Sequence, residues 1–117
     1  MSEVTVFGKI ISGEIPADKI YEDEDCICIN DISPKAPTHV LLIPKKPIPK
    51  LADATAEDKE LLGKLMLKAG DIARMLEIDD AFRLIINNGE GGGQTVFHLH
   101  LHILGNKKYT ETDGLGF

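Results

Sequence analysis

From His98 to Ile103 the chain reads His-Leu-His-Leu-His-Ile, a strict alternation of imidazole and apolar side chains. In a β-strand successive side chains point to opposite faces. His98, His100 and His102 therefore share one face, and Leu99, Leu101 and Ile103 fill the other. A core gains nothing from three titratable rings in one stripe, because burying a polar group without a partner costs roughly 2 to 7 kcal/mol. The stripe implies chemistry that offsets this cost. It is preceded by a glycine-rich turn, Gly89-Glu90-Gly91-Gly92-Gly93, and the rest of the chain is read around this unit.

With 117 residues and 43% hydrophobic content, the chain fits one globular domain, 1–117, with a modest core. The formal net charge of -6 excludes a protein built chiefly to grip a nucleic-acid backbone, which needs clustered positive charge. No apolar run approaches the ~20 residues of a membrane span, and no basic segment leads an apolar one. The expectation is a soluble cytoplasmic protein with neither nucleic-acid nor membrane partners. Cys26 and Cys28 stand two apart, which suits two small buried residues better than a structural disulfide. No second cysteine pair is present to complete a zinc site.

Taken in order, Val4 to Ile11 has helical apolar spacing and stops at Ser12-Gly13, so a short helix is expected. Lys19–Glu22 and Cys26–Asn30 flank the polar Asp23-Glu24-Asp25, the pattern of a hairpin. Asp31 to Thr38, with two prolines, is a loop into a buried strand, His39 to Pro44. Pro47 and Pro49 keep the next segment out of any ladder. Thr55 is placed as the N-cap of one long helix of about six turns, carrying Leu61, Leu65, Ala69, Ile72 and Leu76 on one face. Phe82 to Ile86 is then a strand running into the turn and the histidines. Strands, a long helix and strands again, without alternation, predict an α+β fold with a mainly antiparallel sheet. The tail 106–117 is polar, with Tyr109, Leu115 and Phe117 as its only anchors, and is expected to be mobile or to dock on a partner.

Four blocks in order resemble the histidine triad (HIT) superfamily and, within it, the Hint branch of nucleotide-binding proteins. They are Phe7-Gly8-Lys9-Ile10-Ile11, Asp31-Ile32-Ser33-Pro34 with Ala36-Pro37-Thr38-His39, Ile43-Pro44-Lys45-Lys46, and Gly92-Gly93-Gln94-Thr95 before His98-x-His100-x-His102. The resemblance implies a HIT-like fold, with a five-stranded sheet, one long and one short helix, and a homodimer that joins two sheets into ten strands. It implies a purine nucleoside 5′-phosphoramidate hydrolase that releases AMP or GMP through a nucleotidyl-histidine on His100. By the same match Asp31 serves the ribose hydroxyls and Ile32 the base. Asn87, Gly93, Gln94, Thr95 and His102 serve the phosphate, and His39 joins the catalytic network. No metal and no cofactor are assigned.

The residue chemistry suits that reaction. Imidazole, with a pKa near ~6.5, is an uncharged nucleophile at working pH, provided one ring nitrogen is held as N–H. His98 and His39 are the candidate orienters. His102, the Thr95 hydroxyl and backbone N–H groups of 91–94 can meet charge that builds on phosphate, and Thr95 or a triad ring can protonate the leaving amine. Taken singly, the same residues read blandly. Asp31 is a turn former, Ile32 simply apolar, Asn87 a strand-end residue, Gly91 to Gly93 a flexible turn, Thr95 a strand-edge residue, Gln94 solvated, His39 a satisfied structural histidine. Lys45 and Lys46 read as a solvated face.

Three other functions compete. A zinc-dependent hydrolase would use the imidazoles as ligands and lose activity with a chelator. A dinucleoside polyphosphate hydrolase would share the fold with another substrate. A nucleotide-binding scaffold would act through partner contacts and tolerate loss of His100. Two departures from the pattern stand out. Thr95 replaces the usual serine, adding a methyl that stiffens the rotamer. Asn106-Lys107-Lys108-Tyr109 replaces the usual tryptophan-and-proline ending, which in the family lies near the neighbouring subunit's site and bears on leaving-group preference.

Overall fold

Branched, apolar runs bounded by polar turns become the strands. In the computed structural model, which describes residues 4–111, these are β1 (Lys19–Glu22), β2 (Cys26–Asn30), β3 (Thr38–Pro44), β4 (Phe82–Ile85) and β5 (Leu101–Gly105). They form one five-stranded sheet in the order β1-β2-β3-β5-β4. Every neighbouring pair is antiparallel, as expected for the α+β class. Asp23 closes the β1–β2 turn by accepting the N–H groups of Asp25 and Cys26 on Oδ1.

The pleat sorts the core into two layers. Cys26, Cys28, Val40, Leu42, Leu101 and Ile103 face α2 (Lys59–Met75), meeting Leu65, Ala69, Ile72 and Ala73. Ile27, Ile29, Leu41 and Ile43 face the other way, against Phe7 and Ile10 of α1 (Val6–Ser12). Thr55 caps a turn before the long helix rather than the helix itself. Its side chain and that of Asp58 form a capping box around a 3-10 turn, Ala56–Asp58. The α-helix proper has 17 residues, nearer five turns than six.

Both cysteines are buried free thiols, and burial pushes each thiol up to about 12. Lys45 and Lys46 keep 30% and 51% of their side chains exposed, as a solvated face would, and are ion-paired there to Glu22 and Asp58. Part of the tail docks on its own chain. The Arg83 guanidinium of β4 lies 4.3 Å from the Tyr109 ring centroid, and Arg83 donates to the Thr110 carbonyl. Leu115 and Phe117 lie outside the described residues. No helix among the described residues is long and apolar enough to cross a membrane.

Candidate active site

The expected histidine strand is only half a strand. β5 starts at Leu101, so His102 pairs with Leu41 of β3 while His98 and His100 lie ahead of the ladder. The reason lies in the segment that would pair with them. Pro44, Pro47 and Pro49 have no N–H to exchange, and the N–H groups of Lys45 and Ile48 go to the Asp25 and Lys46 carbonyls, so this segment meets the histidine stretch through its carbonyls. The Pro44 carbonyl accepts from His98 Nε2 at 2.7 Å, the Ile48 carbonyl from the Leu99 N–H at 2.7 Å, and the Pro49 carbonyl from Gln94 Nε2 at 2.7 Å. One-way bonds replace the ladder, and side-chain alternation survives. Leu99, Leu101 and Ile103 join the α2-side core, while the rings of His100 and His102 sit 5.0 Å apart, centroid to centroid, on the opposite face.

Backbone groups sort the ring nitrogens, because an amide N–H can only donate and a carbonyl can only accept. His100 Nδ1 is 2.7 Å from the His98 carbonyl. His100 must carry its proton there, which leaves the lone pair on Nε2. The Lys35 N–H donates to His39 Nδ1 at 2.9 Å, so the His39 proton sits on Nε2, 2.9 Å from His102 Nδ1. His102 accepts that hydrogen bond and, when neutral, carries its own proton on Nε2. The pair thus sets an imidazole lone pair on His100 beside an N–H donor on His102.

Both rings line a cavity of about 660 Å³, together with Asp31, Ile32 and Thr95 and the apolar Val6, Phe7, Ile10, Ile29, Leu41 and Val96. Phe7 of α1 packs against His100 edge to face, with centroids 4.9 Å apart. Burial pushes His98 and His100 below the ordinary histidine range, and does the same to His39. Burial, with the neighbouring His100 and His39 rings, pushes His102 down to about 4. The four imidazoles are therefore neutral at pH 7, His102 donating as a neutral N–H rather than a cation.

Asp31 Oδ2, His39 Nε2 and His102 Nδ1 lie within 4.8 Å of one another, a spacing a metal ion could span. The protons argue against it. A ligand histidine ordinarily donates from its second ring nitrogen, whereas His39 Nδ1 accepts an N–H from Lys35. Coordination through Nε2 would require an imidazolate, or a proton on Nδ1 facing that amide. The donor set does not fit a divalent cation.

The structure thus gathers His100, His102, Asp31, Ile32 and Thr95 at one cavity, with His39 bonded behind them. Asp31 holds the Ser33 N–H on Oδ1 and keeps Oδ2 3.4 Å from His39 Nε2. Ile32 is 99% exposed at the rim. His98 orients His100 through its carbonyl, its own ring being committed to Pro44. Asn87, Gly93 and Gln94 stand outside the lining. Gly93 takes a left-handed φ of 91° and backs onto the Asn87 side chain. Gln94, expected in isolation to be solvated, is 2% exposed and bonded wholly within the chain. The contact of Phe7 with His100 and the carbonyls of 44–49 carried no side-chain signal in the sequence, though the prolines marked the segment as unable to pair.

A five-stranded antiparallel sheet, with a histidine tautomer set by its neighbour's carbonyl and two further histidines bonded to each other, defines a histidine-triad protein. The HIT domain model matches residues 12–109, and the chain belongs to the HIT domain family. It is 58% identical over 114 residues to an uncharacterised HIT-like protein of Synechocystis, covering 97% of this chain and 100% of that one. Protein HitA of Neisseria gonorrhoeae is 52% identical over 100 residues, covering 86% and 94%. Among solved structures, a HIT family hydrolase from Legionella pneumophila superposes with a TM-score of 0.89 at 42% identity, covering 93% and 98%. A histidine triad protein from Clostridium difficile gives 0.87 at 39% identity, covering 94% and 97%.

Proposed function

We propose that the chain is a hydrolase of purine nucleoside 5′-phosphoramidates acting through a nucleotidyl intermediate on His100. One observation carries the reading: the Nδ1 proton of His100 is tied to the His98 carbonyl, which leaves Nε2 neutral and nucleophilic at the cavity wall. Nε2 attacks the α-phosphorus, the phosphorus–nitrogen bond to the amine breaks, and the amine departs with a proton relayed by Thr95 or His102. Water then attacks phosphorus and gives up the proton that restores the donor, the bond to Nε2 breaks, and the nucleoside monophosphate leaves. The His102 N–H and the Thr95 hydroxyl meet the charge on the phosphoryl oxygens. Asp31 accepts the ribose hydroxyls, and the apolar wall formed by Val6, Ile10, Ile29 and Ile32 takes the base.

A homodimer accords with two surfaces. β4 is an edge strand, and α2 exposes Met66, Leu67 and Met75 at 53%, 74% and 50%. Turnover of adenosine 5′-phosphoramidate to AMP, undiminished by chelator, is the expected result. Chelator-sensitive turnover would favour the zinc reading, and turnover confined to dinucleoside polyphosphates would favour that substrate class.

A further inference from the structure

We propose that Gln94 is a positioning residue for the reaction at His100, its carboxamide clasping the glycine turn to the proline segment on which the nucleophile is laid. This rests on the function proposed above. Gln94 is among the most deeply buried side chains, at 2% exposure. Its Oε1 accepts the Gly89 N–H at 2.8 Å, and its Nε2 donates to the Pro49 carbonyl at 2.7 Å and the Val96 carbonyl at 3.0 Å. Both amide hydrogens are thereby used, so the side chain has no donor left for a phosphate. Its main-chain N–H is also taken, by the Gly89 carbonyl at 3.0 Å.

What the clasp holds is a short path to the nucleophile. Gln94, His98 and Leu99 bond to the carbonyls of Pro49, Pro44 and Ile48, and the His98 carbonyl in turn holds the His100 ring. Because three of the six residues from 44 to 49 are prolines and the N–H groups of Lys45 and Ile48 are spent on Asp25 and Lys46, residues 94–100 lack a ladder to fix them. The three side-chain bonds of Gln94 join the glycine turn, the proline segment and this stretch at a single point. Misplacing a reacting group by about 1 Å can lower a rate roughly 10²-fold, so the position of the clasp bears on turnover while leaving the cavity's ligand contacts in place.

The test replaces Gln94 by Met, similar in size but without the donors and acceptor, and reads kcat, KM and AMP affinity together with amide exchange at Leu99. The expected result is kcat lowered by ~10-fold to ~100-fold, AMP affinity nearly unchanged, and faster Leu99 exchange with Val40 exchange unchanged. Weakened AMP binding with kcat retained would make Gln94 a ligand contact and overturn the proposal, as would wild-type values throughout. If Gln94→Met does not fold, Gln94→Asn, too short to span Gly89 and Pro49, is judged by the same criteria. Should the wild-type protein not cleave the phosphoramidate, the proposed reaction fails. Leu99 exchange then decides the clasp alone: acceleration supports it, and no change overturns it.

Discussion

His39 and His102, 63 residues apart in sequence, meet with Nε2 and Nδ1 separated by 2.9 Å. The proton between them belongs to His39, because the Lys35 N–H occupies the other nitrogen of that ring. A backbone amide in a proline-bounded loop thus sets which nitrogen of His102 carries hydrogen on the far strand. The same kind of control acts on His100 through the His98 carbonyl.

These tautomers are directly observable. In long-range proton–nitrogen spectra at pH 7.5, His100 should show its proton on Nδ1, whereas His39, His98 and His102 should show theirs on Nε2. A His100 protonated on Nε2 would remove the lone pair on which the proposed attack depends.

Acid should weaken the fold before the carboxylates titrate. His39, His98 and His100 are held below the ordinary value of 6.5, and His102 lies at about 4. Below pH 6.5 the unfolded chain binds protons that the folded chain refuses, so the stabilisation is complete above 6.5 and is lost as pH falls toward 4. Urea midpoints measured from pH 8 to pH 4 should hold steady down to about 6.5 and then decline. Activity should fall only at a pH below 6.5, where the folded His100 itself takes up a proton. A midpoint rising between pH 6.5 and 5 would contradict the assignment.

Gly105 ends β5 where no side chain fits. A Cβ there would stand 2.7 Å from Ile78 Cδ1, 2.8 Å from Cγ2 and 2.9 Å from Cβ. Contact with the branch point as well as the tip means a rotamer change cannot relieve it. Gly105→Ala should cost about 1 to 3 kcal/mol, the usual range for overpacking, as read by denaturant unfolding.

Asp31→Asn keeps an acceptor for the Ser33 N–H and removes the charge proposed to hold the ribose diol. Hydrogen bonds to charged groups contribute about 1.5 to 3 kcal/mol, so KM for a ribonucleoside substrate should rise roughly 10-fold to 100-fold, with a much smaller change for a 2′,3′-dideoxy analogue. Equal losses on both substrates would detach Asp31 from the ribose.

Much of this site was legible in the chain because its signals are local. The β1–β2 hairpin followed from branched runs around Asp23-Glu24-Asp25, and the two faces of the histidine stretch followed from period two. What escaped was pairing. Period two reports where side chains point and not which groups their backbone meets, so a strand was expected across His98 and His100 where the chain instead hangs on proline-segment carbonyls. Thr55 likewise announced a cap but not the 3-10 turn that separates it from α2. Gln94 escaped for a different reason: a glutamine after a run of glycines looks solvated until the carbonyls of Pro49 and Val96 and the N–H of Gly89 close around it.

The most direct test of the account is to quench a rapid reaction with adenosine 5′-phosphoramidate in alkaline denaturant, which spares a phosphorus–imidazole bond, and to map the modified peptide by mass spectrometry. A transient adenylyl group is expected on His100, absent in His100→Ala together with turnover. An adduct on another residue, or unchanged turnover by His100→Ala, would contradict it.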